Sequence, residues 1–75
     1  MDLLTFWKSI PTDERDAFAA RCNTTRGHLG NVAYGIKPCA AGLAVAIERE
    51  SRGKVRAEVT CPDVDWSVIR SKKIA

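Results

Sequence analysis

The chain has 75 residues, with 12 Lys and Arg against 9 Asp and Glu, a formal net charge of +3, and 45% hydrophobic and 28% charged residues. A domain of this length buries only about 60% of the surface its unfolded chain exposes, too little to enclose a large catalytic cavity. The composition is globular, and no apolar run approaches the ~18 residues of a membrane span, so a soluble, intracellular protein is expected.

Leu3, Phe6, Trp7 and Ile10 recur at steps of three and four, which predicts a helix over residues 2–10. Pro11 ends it, because its ring and missing N–H cannot continue the hydrogen-bond ladder. Thr12 is the expected hydroxyl N-cap of a second helix over 13–22. Asp13, Glu14 and Asp16 crowd its first turn, where the helix dipole favours negative charge. Its expected apolar face is Ala17, Phe18 and Cys22, with Ala19 alongside. Asn23-Thr24-Thr25 then breaks the pattern, and Asn tolerates the left-handed conformation of a helix exit.

Thr25 is placed to cap a third helix over 26–34, held by Leu29, Val32 and Ala33 and stopped by Gly35 and Pro38. A fourth helix is expected over 39–51, with Leu43, Ala46, Ile47 and Glu50 at helical spacing and Gly53 beyond its end. Val55 and Val59 anchor one more short turn, which Pro62 closes. Val64, Trp66 and Val68 alternate with Asp65 and Ser67 at strand spacing, which an irregular arm laid over the helices also satisfies. Residues 70–75 are expected to fray. The predicted fold is therefore all-α: a compact four- to five-helix domain over 1–62, then an irregular or short-strand tail over 63–75.

Cys22, Cys39 and Cys61 form no CxxC pair, and three is an odd number for a disulfide scaffold. The single histidine, His28, has no zinc-site spacing to any of them. The cysteines read as small reduced apolar side chains, with no metal and no cofactor expected. Charge is unevenly placed. Residues 1–25 carry Asp2, Asp13, Glu14 and Asp16 against Lys8, Arg15 and Arg21, a balance of −1. Residues 26–57 carry Arg26, Lys37, Arg49, Arg52, Lys54 and Arg56 against Glu48 and Glu50, a balance of +4. A basic middle suggests an anionic partner, nucleic acid first.

The segment from Arg15 to Tyr34 sharpens that reading. Two short helices joined by a three-residue turn, the second capped by a hydroxyl, describe a helix-turn-helix. Ala19 is small enough for a close crossing, Asn23 suits a positive φ, and Leu29 and Val32 secure the second helix on Phe18 and Cys22. Thr24 departs from the pattern, being polar where an aliphatic residue is usual. The expected outer face of the recognition helix is Arg26, Gly27, Gly30, Asn31 and Tyr34. Arg reads guanine O6 and N7, and Asn reads adenine N6 and N7, in the major groove. The two glycines either smooth the helix for close approach or mark a poor helix, since each costs about 1 kcal/mol in a helix interior.

Thr25 and the adjoining backbone N–H groups are positioned for a phosphate. Lys37 and Arg15 are further phosphate candidates, with Arg52, Lys54 and Arg56 behind them. His28 either contacts the DNA backbone or packs as a neutral ring at the junction of the second and third helices. Dimerisation follows from size, because one recognition helix reads only a few base pairs. Val64, Trp66 and Val68 are the candidate dimer element by strand pairing across the axis, against internal packing of Trp66 over the first helix.

The residues also carry a family likeness. Ala17-Phe18-Ala19 through Val32, then Lys37-Pro38, Ala46-Ile47-Glu48, Gly53-Lys54-Val55 and Pro62-Asp63-Val64-Asp65-Trp66 cover about residues 12–66. In these pieces the chain resembles the Cro/CI-type phage repressors, most nearly the YdaS-like (Cro-like antitoxin) group of small prophage regulators. The resemblance implies a lambda-repressor-like domain that binds double-stranded operator DNA, commonly as a homodimer on a palindrome, in the cytoplasm of a bacterial host and its nucleoid. It puts the base-reading positions on Arg26, Gly27 and Asn31. Asn23 stands where the family has a turn glycine, and Gly27 where it often has a base-reading side chain. The alternative from another class is an antitoxin-like or inhibitory interaction module that uses the same scaffold on a toxin or other protein partner. An enzyme is not expected: there is one His, no paired carboxylates in an obvious pocket and no phosphate-cradling glycine loop.

Overall fold

The structure, a computed structural model, describes residues 1–68. The expected fraying of 70–75 therefore lies outside the described residues. These are all helical in their regular structure: α1 (Leu3–Ser9), a 3-10 turn (Thr12–Glu14), α2 (Arg15–Arg21), α3 (Arg26–Ala33), α4 (Ala41–Glu50) and α5 (Ala57–Thr60). Residues 66–68 are helical as well, and no strand occurs among the described residues. The strand spacing of Val64, Trp66 and Val68 thus does not produce a strand. Among the described residues, no helix is long and apolar enough to cross a membrane.

α1 starts where the Asp2 carboxylate accepts a hydrogen bond from the Thr5 N–H at 2.8 Å. It ends as Ile10 turns extended ahead of Pro11, and the Nε of Arg15 donates to the Ile10 carbonyl at 3.0 Å. Thr12 does not cap α2, contrary to expectation. The chain leaves Pro11 as a 3-10 turn closed by Glu14 N–H donating to Pro11 O at 2.9 Å, so α2 begins only at Arg15, with Glu14 as its cap residue. Ala17 is exposed rather than on the apolar face, which Phe18, Ala19 and Cys22 form.

Three helix exits share one geometry. After α2 the N–H of Thr24 reaches back to Ala19 O and that of Asn23 to Ala20 O, with Asn23 at φ 61°. After α3 the N–H groups of Ile36 and Gly35 reach Asn31 O and Val32 O, with Gly35 at φ 79°. After α4 those of Gly53 and Arg52 reach Glu48 O and Arg49 O, with Arg52 at φ 57°. A left-handed residue satisfies the last free carbonyls in each case.

The main core joins α1 (Leu3, Trp7), α2 (Phe18, Ala19), α3 (Leu29, Val32) and α4 (Ala46, Ile47), with Cys22 and Val55. Phe6 packs on Phe18 with the rings tilted by 55° and their centroids 5.4 Å apart. A second cluster holds Ala44 of α4, Ala57 of α5, Cys61 and Trp66. Trp66 does not lie over α1: it is buried in this cluster, and its indole Nε1 donates to Cys61 O at 2.6 Å. Between α4 and α5, the buried Ser51 hydroxyl accepts from the Val55 N–H at 3.1 Å and donates to Glu48 O at 3.2 Å. The Glu48 carboxylate accepts from the Ala57 N–H at 2.8 Å, capping α5 from nine residues upstream.

Leu29 is fully buried in the main core. Leu29→Ala is expected to cost about 2–5 kcal/mol, a large part of the roughly 4–11 kcal/mol available to a chain this size. A urea unfolding midpoint within error of the parent would refute that placement.

Candidate nucleic-acid interface

The candidate surface is built on the α2–turn–α3 unit. Cys22 ends α2 and is buried; Asn23 reverses the chain; Thr24 is half-buried, which reconciles its hydroxyl with a position usually apolar. Thr25 is extended, and its Oγ1 accepts from the His28 N–H at 3.2 Å, so the predicted cap forms. Its own O–H stays available to donate outward. Ala19 is fully buried, as a close crossing of α2 and α3 requires, and Leu29 and Val32 face it from α3.

The opposite face of α3 presents Gly27, His28, Asn31 and Tyr34 to solvent. Gly30 does not belong to that face. A Cβ there would sit 3.8 Å from Trp7 Cζ2 and Nε1, so Gly30 lies where α3 passes α1, and a methyl group would make ordinary contact. Gly27 has nothing within 4 Å of an added Cβ, so its position is open. His28 is exposed, not packed at the helix junction. Arg26 is half-buried, with its guanidinium 3.9 Å from the exposed Asp16 carboxylate. Such a pair is worth about 0–1 kcal/mol, which leaves Arg26 easily redirected.

The basic middle of the chain is divided by its acids. Arg49 pairs with Glu50 at 3.0 Å, and Arg21 joins the same carboxylate at 3.2 Å. Hydrogen bonding from Arg49 first, and from Arg21 after it, holds the Glu50 carboxyl below its usual range. Arg56 pairs with Glu48 and Glu58, each at 3.5 Å. Lys37, Arg52 and Lys54 are exposed and have no acidic partner within 4 Å among the described residues. Arg15 is the candidate the structure ties down most. It is half-buried, with its guanidinium 5.3 Å from the Trp7 ring centroid and its Nε on the Ile10 carbonyl.

One grouping was not visible in the sequence. A groove between the turn and α4 is lined by Asn23, Thr24, His28, Gly42 and Arg49. It brings Arg49 and His28 to one groove, although 21 positions separate them and no local spacing signals it. Val64 is half-buried, Trp66 buried and Val68 exposed, so of the three candidate dimer residues only Val68 projects fully. Among the described residues, no group of three or more His, Cys, Asp and Glu could hold a metal ion.

Compared with family models, curated proteins and solved structures, the chain matches none.

Two substitutions test the geometry of this unit without touching a ligand. Thr25→Ala is expected to cost about 1 kcal/mol by removing the α3 cap. Gly30→Ala is expected to stabilise by about 0.5–1 kcal/mol, because the helix propensity improves and the space beside Trp7 accepts the methyl group. Chemical denaturation of both variants checks the signs; a destabilised Gly30→Ala would mean that α3 lies closer to α1.

Proposed function

We propose that the chain is a sequence-specific DNA-binding transcriptional regulator of lambda-repressor-like architecture, a Cro-like repressor that sets α3 in the major groove. The observation that carries this reading is the outward face of α3. It is a helix of eight residues, capped by Thr25, whose exposed side combines a bare glycine at position 27 with Asn31 and Tyr34. A bare position lets the backbone approach base edges, and Asn31 supplies the donor–acceptor pair that adenine N7 and N6 require. Arg26, freed from Asp16, reaches guanine. Thr25, His28 and Lys37 flank the helix as phosphate contacts. Arg15 supports the site from behind by holding the α1 exit against Trp7.

A dimer on a palindrome doubles the few base pairs that one α3 can read. Val64 and Val68 are the tail residues left to contribute to such a dimer, with Trp66 holding the tail on α4 and α5. Binding at this surface needs neither a catalytic group nor a cofactor. The second reading is a protein-interaction module, favoured by the exposed apolar residues Tyr34, Ile36 and Val59, at 57%, 67% and 54% exposure. An antitoxin-like or inhibitory partner surface would use these.

Salt separates the two readings. Operator affinity is expected to fall with log salt at a slope of about 0.9 per phosphate contacted, whereas an apolar protein interface is nearly insensitive. Selection from a random duplex pool supplies the operator; failure to enrich any sequence over scrambled duplex at roughly 0.15 M salt would sink the regulator. Arg26→Ala is expected to cost about 1–3 kcal/mol and to relax preference at one base pair. Gly27→Ala should leave folding intact and weaken binding, since the added methyl group projects from the groove face. Val68→Asp tests the tail by sedimentation: unchanged self-association removes it from the dimer.

A further inference from the structure

Cys39 and Cys61 are distant in sequence but share one site. Cys39 lies in the irregular segment 38–40 that leads into α4, and Cys61 is the residue that ends α5. Both line a single surface groove with Lys37, Pro38, Thr60 and Pro62, and both pack in the cluster of Ala44, Ala57 and Trp66. Neither is inside a helix, so the backbone on each side can adjust to the Cα separation below about 7 Å that a disulfide requires. Cys22 is different: it is buried in the main core and lines the groove beside the turn.

The geometry points to a thiol-modification site, in which Cys39 and Cys61 form a dithiol that hydrogen peroxide closes to a reversible intramolecular disulfide. Cys39 is the half-buried member and meets the oxidant first; Cys61, only 9% exposed, resolves it from within. The Cys39 thiolate attacks one peroxide oxygen, the O–O bond breaks, and a sulfenic acid forms with release of water after protonation. The Cys61 sulfur then attacks the sulfenic sulfur, the S–O bond breaks, and the S–S bond forms with release of a second water. Two electrons pass from the sulfurs to the peroxide, and both thiol protons end in water.

Burial first, and the neighbouring Cys61 second, push the Cys39 thiol up to about 11. Thiolate is therefore scarce at neutral pH, and the pair stays reduced until oxidant is abundant. Closure links the segment after Lys37 to the end of α5, so the oxidised form holds the α3–α4 connection against the second cluster. This inference stands apart from the DNA-binding reading, and either can fail alone.

The test uses the full chain treated with hydrogen peroxide at mildly alkaline pH, followed by intact mass and non-reducing peptide mapping. The expected result is a loss of about 2 Da, a linked peptide containing Cys39 and Cys61, and reversal by dithiothreitol. Cys22→Ser retains the linkage, while Cys39→Ser and Cys61→Ser abolish it. Closing this loop should raise Tm by roughly 10–25 °C relative to the reduced form. A disulfide to Cys22, a linkage between two chains, oxygen added at Cys39 without linkage, or an unchanged mass would each overturn the proposal.

Discussion

The left-handed residue at Asn23, φ 61°, sets the relation between α2 and α3, and the rest of the molecule is arranged around it. With Asn23 reversed, the N–H groups of Asn23 and Thr24 close the end of α2, and Thr25 is delivered extended to cap α3. That fixes which side of α3 meets Ala19 and therefore which side is left outside. Leu29, fully buried, is the counterpart on α3. A non-glycine residue in this conformation carries some strain, and Asn is among those that carry least. Packing behind the turn offsets it: α1 presses Trp7 against α3 at Gly30, and Arg15 ties the α1 exit to the same indole.

Charge follows the same architecture. The acidic side chains do not merely dilute the basic ones; they hold particular cations in place. Glu50 gathers Arg49 and Arg21, and Glu48 draws in Arg56 while capping α5 through the same Oε1. Lys8, Lys37, Arg52 and Lys54, the exposed cations without such partners among the described residues, are the ones a polyanion meets at no cost in broken ion pairs. Arg26 is intermediate, since its contact with Asp16 is long and solvated. A net charge of +3 thus describes the surface less well than the distribution of acids among the bases.

The C-terminal third is held by polar links and by one large indole. Ser51 and Glu48 organise the path from α4 to α5, and Trp66 covers the second cluster while its Nε1 satisfies the carbonyl of Cys61. This arrangement explains why the alternation around Trp66 does not become a strand. An edge strand would leave its backbone groups without a sheet to pair with, whereas a helical turn satisfies them locally and still buries the indole.

Local chemistry accounts for what could be read along the chain. The helices, the Thr25 cap, the Asn23 exit and the buried set of Ala19, Leu29 and Val32 all depend on spacings of four residues or fewer, where apolar periodicity and capping leave their mark. What could not be read depends on distant neighbours. Thr12 is the local exception, failing as a cap because the adjacent Pro11 leads into a 3-10 turn, whereas Gly30 faces Trp7 because α1 crosses α3 there. Glu48 caps a helix nine positions away, and Arg49 lines one groove with His28 across 21 positions. These pairings form when helices pack, and a side chain's role is then set by the element laid against it rather than by its neighbours in the chain.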